Sequence, residues 1–261
     1  DWAGQGGSAK KGSSAAASRS FGVVEHVAHL QEFRQSVVAK SSPALPVILS
    51  THSLGGQIAL NYLQQHPKDF DAVIMAAPLV DFGLSAQTRS VIRSVFRYAV
   101  QAGMRDVSFT GGRAGIQKQA INARKKIKKD EPVRIDLHRT FFMLAKPLGA
   151  EDPSVGLIES LFDSTARMND EAVLKSIDVP ILIGLAGRDH IVNNDAIRRA
   201  AQLMPQARLA DFPEATHGLW SEHPSIVASW WDAVDAFLDE QYKKPRKTTP
   251  VPPSAPPPQG P

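Results

Sequence analysis

The chain has 261 residues, 43% hydrophobic and 21% charged, with a formal net charge of +4. That length can bury a sizeable core, and no run of about 18 apolar residues suggests a membrane span. The absence of cysteine excludes disulfides, thiol catalysis and cysteine-ligated zinc or iron–sulfur sites.

Taken in chain order, Lys10 to Ser20 reads as a Gly/Ser/Ala/Lys loop. Gly22 to Ala39 follows as a helix, with apolar Val23, Val27, Leu30, Phe33, Val37 and Val38. Pro46-Val47-Ile48-Leu49 is a strand, and Ser53 opens a helix that runs to about Gln65 and is ended by His66-Pro67. Asp71 to Pro78 is the next strand, and from Phe82 to about Ile177 the pattern turns helical with loops. Strands resume at Val179 to Ala186 and at about Ala207 to Phe212, before a closing helix that contains Trp230, Trp231, Val234 and Phe237. After Gln241 the run Lys243-Lys244-Pro245-Arg246-Lys247 and its Pro-rich continuation to Pro261 read as a disordered tail. The expected organisation is a catalytic core in two parts, 1–81 and 178–242, with a helical insertion over 82–177 and a tail over 243–261.

The chemistry concentrates after three of these strands. Ser53 lies in Thr51-His52-Ser53-Leu54-Gly55-Gly56 between a strand and a helix, where a sharp turn holds a serine with its hydroxyl exposed and small neighbours let strand and helix pack closely. Asp189 follows the strand Ile181 to Leu185, and His217 follows Leu209 to Pro213. Serine, acid and histidine in that chain order, each placed after a strand, are the nucleophile, orienting acid and general base of an α/β-hydrolase. Leu54 N–H would supply one oxyanion donor. His52, Gly55 and Gly56 would support the elbow, with His52 buried, while His190 and His223 read as solvated neighbours.

The chain resembles the monoglyceride-lipase-like α/β-hydrolases in more than these residues. Asp1-Trp2-Ala3-Gly4-Gln5-Gly6-Gly7-Ser8 looks like that group's D-x-R-G-x-G-x-S segment. Asn122, Asp130-Glu131-Pro132-Val133-Arg134 and Asp152-Pro153-Ser154-Val155-Gly156-Leu157 resemble its bacterial lysophospholipase branch. The resemblance runs from Asp1 to about Leu238. It implies an α/β fold with a mostly parallel, doubly wound sheet and a helical cap, while the sequence, with no Gly-rich phosphate loop in the required context and no histidine pair at metal-ligand spacing, leads to the expectation of no cofactor or metal.

Two residues depart from the pattern. Ala3 stands where the group usually has arginine, and Thr51 brings a β-branched side chain to the crowded elbow. Relative to the group the chain is also expected to be N-terminally incomplete. The first strands and the loop carrying the second oxyanion donor would lie upstream of Asp1, leaving the strand before Ser53 with an apolar edge.

Charge points to the cap. Between Phe82 and Ala150, fourteen basic residues stand against four acidic ones, an excess larger than that of the whole chain. Arg89, Arg93 and Arg97 recur every four residues, and Val91, Ile92, Val95, Phe96 and Ala99 cover another face of the same helix. Two readings stand side by side: the helix touches an anionic membrane surface, or its apolar face packs on the core and the arginines are solvated. Lys125-Lys126-Ile127-Lys128-Lys129 lacks the interleaved aromatics of a nucleic-acid site.

The expected activity is hydrolysis of a carboxylic ester of a single-chain lipid through an acyl-enzyme. The resemblance and the basic cap favour a lysophospholipid; a monoacylglycerol or other carboxylic ester is the alternative, and a non-catalytic binding protein of the same fold the second. The expected location is cytoplasmic, with peripheral membrane contact if the first reading of the cap helix holds.

Overall fold

The computed structural model of the chain describes residues 21–41, 45–107, 109 and 153–242. The segment around Ala3, the Lys10–Ser20 loop, the cap motifs at Asn122 and Asp130 to Arg134, and the tail over 243–261 lie outside these residues, as does Asp152.

Four parallel strands form one sheet in the order β1 (Ile48–His52), β2 (Ala72–Ala76), β3 (Ile181–Ala186) and β4 (Ala207–Phe212). The central strands β2 and β3 are buried along their whole length. Near-continuous apolar runs such as Ala-Val-Ile-Met-Ala and Ile-Leu-Ile-Gly-Leu-Ala are what parallel strands covered on both faces require. Among the described residues β1 pairs on one side only, with β2.

Helices cover both faces. They are α1 (Val23–Phe33), α2 (Leu54–Gln65), α3 (Ala86–Gln101), α4 (Val155–Met168), α5 (Glu171–Lys175), α6 (Asn194–Leu203) and α7 (Pro224–Tyr242). Alternate residues along β2 and β3 separate the core. Val73, Met75, Ile181, Ile183 and Leu185 pack with α1, α2, α4 and α6; Ala72, Ile74, Ala76, Leu182 and Ala186 pack with Trp230, Val234 and Phe237 of α7. Gly184 explains the seat of Trp230, because a Cβ there would come within 2.5 Å of the indole ring. The parallel sheet, the helices on both faces and the helical insertion between β2 and β3 are those of an α/β-hydrolase.

Two expectations need correction. The first helix runs past Phe33 through a π-helical turn, Arg34–Val38, and ends at Ser41. Such a turn rotates the residues beyond it relative to the face that Val23 and Val27 bury. Phe33, just before the turn, and Val37, within it, are 54% and 46% exposed.

The second correction concerns α3, where the reading that packs its apolar face on the core and leaves its arginines solvated fails in part. The arginines are not merely solvated. Arg93 Nε and Arg97 Nη2 lie 2.5 and 2.8 Å from Asp163 Oδ1 on α4, and Arg89 pairs with Asp81. The outward face carries Val91, Val95 and Tyr98, while Phe96 turns inward, its ring 5.2 Å from Phe109 and 6.5 Å from Phe162. The exposed pairs with Asp163 contribute about 0–1 kcal/mol each, so they fix how α3 lies on α4 more than they stabilise the fold. Glu159, beside the same cluster, has its pKa raised, first by desolvation and then by Asp163.

Candidate active site

The parallel sheet brings the three predicted residues to one edge. Ser53, Asp189 and His217 each follow the carboxyl end of a strand, where loops of an open α/β sheet converge. Ser53 is the turn residue between β1 and α2, with φ 53° and ψ −117°. A non-glycine residue at positive φ carries about 1–3 kcal/mol of strain and persists only when its surroundings fix it. Here Ser53 N–H donates to Ala76 O, and Ser53 O accepts from Gly56 and Leu79 N–H, at 3.1, 2.9 and 2.9 Å.

The tight contact at this elbow differs from the one expected. Thr51 is accommodated: a Cβ on Gly55 would sit 3.5 Å from its Cβ, ordinary contact, and Thr51 Oγ1 donates to Ile74 O at 3.4 Å. Gly56 is where nothing larger fits, since a Cβ there would lie 2.4 Å from the Cβ of Pro78.

The side chains then form one hydrogen-bonded line. Ser53 Oγ lies 2.8 Å from His217 Nε2, and His217 Nδ1 lies 2.7 Å from Asp189 Oδ2. Asp189 is fully buried as a side chain, and its other oxygen accepts the N–H groups of Ile191 and Val192 at 2.8 and 3.2 Å. The tautomer that satisfies both histidine contacts has its proton on Nδ1, leaving Nε2 to accept from the serine hydroxyl. Such a line can draw a proton from the serine and stabilise the imidazolium that results. Leu54, the first residue of α2, has an N–H that no helical carbonyl can reach.

Backbone ties hold the acid and histidine loops together. Gly187 N–H donates to Phe212 O and Arg188 N–H to Ala215 O, at 2.9 and 2.8 Å. This approach depends on Gly187, where a Cβ would fall 2.5 Å from Pro213 O and 2.6 Å from Pro213 Cα, both backbone atoms that cannot rotate away. Gly187→Ala is therefore expected to destabilise the protein by about 1–3 kcal/mol through forced backbone movement. Urea unfolding followed by tryptophan fluorescence checks this; an unchanged midpoint and slope would refute it.

His52 was expected to be buried, and it is not. Its ring is exposed, yet Nε2–H donates to the His217 carbonyl at 2.9 Å, and the two rings sit 4.7 Å apart. Crowding by neighbouring atoms desolvates the ring enough to lower its pKa, while the His217 carbonyl pulls the other way. His190 and His223 are outside the hydrogen-bonded line; His223 Nδ1 instead contacts Ser225 Oγ at 2.8 Å.

Two carboxylates escaped the sequence reading. Glu222 accepts from Thr216 N–H at 2.6 Å and from the Thr216 hydroxyl, so it braces the residue before His217. Asp81, 2% exposed, receives Arg89 of α3 and Phe82 N–H. Its signal was legible: a carboxylate set between Val80 and Phe82 just past an apolar strand demands a partner.

Among solved structures, the fold is similar to a monoacylglycerol lipase from Paleococcus ferrophilus (17% identity, 92% of this chain and 81% of that chain, TM-score 0.60). It is also similar to a soluble variant of monoglyceride lipase from Saccharomyces cerevisiae in complex with a substrate analog (16%, 92% and 76%, TM-score 0.67). A thermostable carboxyl esterase from Bacillus coagulans in complex with glycerol aligns comparably (13%, 92% and 79%, TM-score 0.67). At such identities the likeness speaks for the fold. No curated protein matches the chain in sequence. The family described as serine aminopeptidase, S33 (Hydrolase_4) matches residues 1–224. With the fold and the matched span agreeing, the chain belongs to this family and is a serine hydrolase of the α/β-hydrolase superfamily.

Proposed function

We propose that the protein is a carboxylesterase for esters with a single acyl chain, of the monoacylglycerol type, using Ser53 as nucleophile, His217 as general base and Asp189 as the orienting acid. The observation that carries this reading is the continuous hydrogen-bonded line from Ser53 Oγ through His217 to Asp189. Ser53 attacks the ester carbonyl as His217 takes its proton, and the alcohol leaves with that proton from the imidazolium. A water then loses its proton to His217, attacks the acyl-enzyme and releases the fatty acid and free serine. Leu54 N–H, directly after the nucleophile, would receive the oxyanion in both halves.

A neutral ester is favoured over a lysophospholipid because the three cap arginines on α3 are committed to Asp81, Asp163 and Glu159 and are not held out for a phosphate. The structural likeness to a monoacylglycerol lipase and a carboxyl esterase supports the same preference.

The test is a panel of monooleoylglycerol, oleoyl lysophosphatidylcholine, p-nitrophenyl butyrate and alanine p-nitroanilide. We expect kcat/KM for the monoacylglycerol to exceed that for the lysophospholipid by about tenfold or more, a transition-state difference of about 1.4 kcal/mol. Faster lysophospholipid turnover would reverse the preference. Cleavage of the anilide alone would replace the esterase reading with a peptidase.

A further inference from the structure

Asp81 joins the cap to the loop that carries Asp189. Its Oδ1 accepts Phe82 N–H at 2.7 Å, which fixes the orientation of the peptide after it. Its Oδ2 pairs with Arg89 in the N-terminal half of α3 and lies 3.5 Å from the side-chain nitrogen of Asn169, at the C-terminal end of α4. The backbone of the same two residues grips the acid loop: Asp81 O accepts Asn193 N–H at 2.9 Å, and Phe82 bridges Val192 in antiparallel fashion.

Val192 is thus held from two sides. Its N–H points to Asp189 Oδ1 at 3.2 Å, and its strand-like bridge runs to Phe82. Any rotation of the Asp81–Phe82 peptide moves Val192 and Asn193, and with them the N–H groups that orient the Asp189 carboxylate. What holds that peptide is a buried charge whose compensation comes from the cap, and such a carboxylate cannot stay in place once its cationic partner leaves.

We propose that Asp81 is a positioning residue for Asp189, and that its ion pair with Arg89 couples the seating of α3 to the alignment of Ser53, His217 and Asp189. The inference rests on the reading of those three as the catalytic triad. A cap helix that shifts when an acyl chain enters or leaves would thereby tighten or loosen the acid that supports the general base. The sequence separates Arg89 from Asp189 by a hundred residues, and Asp81 is the short link between them.

The test compares wild type, Asp81→Asn, Arg89→Gln and Arg89→Lys as full chains, with p-nitrophenyl butyrate as substrate and a fluorophosphonate probe for Ser53. We expect Asp81→Asn and Arg89→Gln to lower kcat by about tenfold or more with KM changed by less than about twofold, and probe labelling to slow in parallel. Arg89→Lys, which keeps the charge, recovers kcat to within about threefold of wild type. In proton NMR the low-field resonance of the Asp189–His217 hydrogen bond shifts or broadens in the first two variants and stays in the third.

The proposal is overturned if folded Arg89→Gln keeps its kcat, or if it changes KM alone with the low-field resonance unmoved. If Asp81→Asn does not fold, Arg89→Gln decides, because the Arg89 side chain is 27% exposed and is not part of the hydrophobic core. Wild-type protein that the probe does not label at Ser53 would remove the triad reading first, and a labelled wild type with indifferent variants would remove only the coupling.

Discussion

Ser53→Ala is expected to lower ester turnover by about 10⁴- to 10⁶-fold, the range seen when a serine hydrolase loses its nucleophile, while the protein stays folded. The loss is chemical, because no other hydroxyl is hydrogen-bonded to His217 Nε2 among the described residues. The fold survives because the elbow is held by backbone groups that alanine retains: Ser53 N–H to Ala76 O, and Ser53 O to the N–H groups of Gly56 and Leu79. Alanine inherits the same strain at φ 53°, whereas Ser53→Gly relieves it. The glycine variant is therefore expected to be equally inactive and to unfold at a higher temperature than the alanine variant. Activity assays with calorimetry on both variants check the two halves separately. Turnover above about 1% of wild type in either variant would require another nucleophile.

The central strands and the three candidate residues were legible because each rests on local signals. A parallel strand buried on both faces must be a continuous apolar run, as β2 and β3 are, and a strained strand-to-helix turn must be flanked by small residues, as Ser53 is by Gly55 and Gly56. The features that stayed hidden depend on partners far along the chain. Arg93 and Arg97 look like a solvent-facing basic stripe until Asp163, some seventy residues later, is known to lie beneath them. The outward turn of Val91, Val95 and Tyr98 follows from the same pairing, since a helix whose charged face is claimed must show another face to solvent. His52 reads as buried from its place beside the nucleophile, but strand alternation sends its side chain away from the core. Only the fold reveals that the carbonyl it reaches belongs to His217. Thr51 looked crowded because the motif allows small residues there, and the structure moves the tight contact to Gly56 against Pro78.

Asp189→Asn is expected to cost about 10⁴-fold in kcat, equivalent to about 5.5 kcal/mol of transition-state stabilisation, although it changes one atom and should leave the fold intact. The surroundings dictate how the amide must sit. Asp189 Oδ1 faces two donors, the N–H groups of Ile191 and Val192, so an asparagine has to present its carbonyl oxygen there. Its NH₂ group then points at His217 Nδ1, where the carboxylate oxygen had stood at 2.7 Å. A donor in that place makes Nδ1 the acceptor and moves the histidine proton to Nε2, which faces Ser53 Oγ at 2.8 Å. A protonated Nε2 cannot take the serine proton, so the relay is geometrically complete and chemically reversed. Solvent offers no remedy, because the Asp189 side chain is fully buried. Asp189→Ala is a poorer probe, since it also leaves two loop N–H groups without their acceptor and should unfold more easily. Burst kinetics with p-nitrophenyl butyrate on the asparagine variant measure the acylation step directly. An acylation rate within about tenfold of wild type would mean that Asp189 does not set the histidine tautomer.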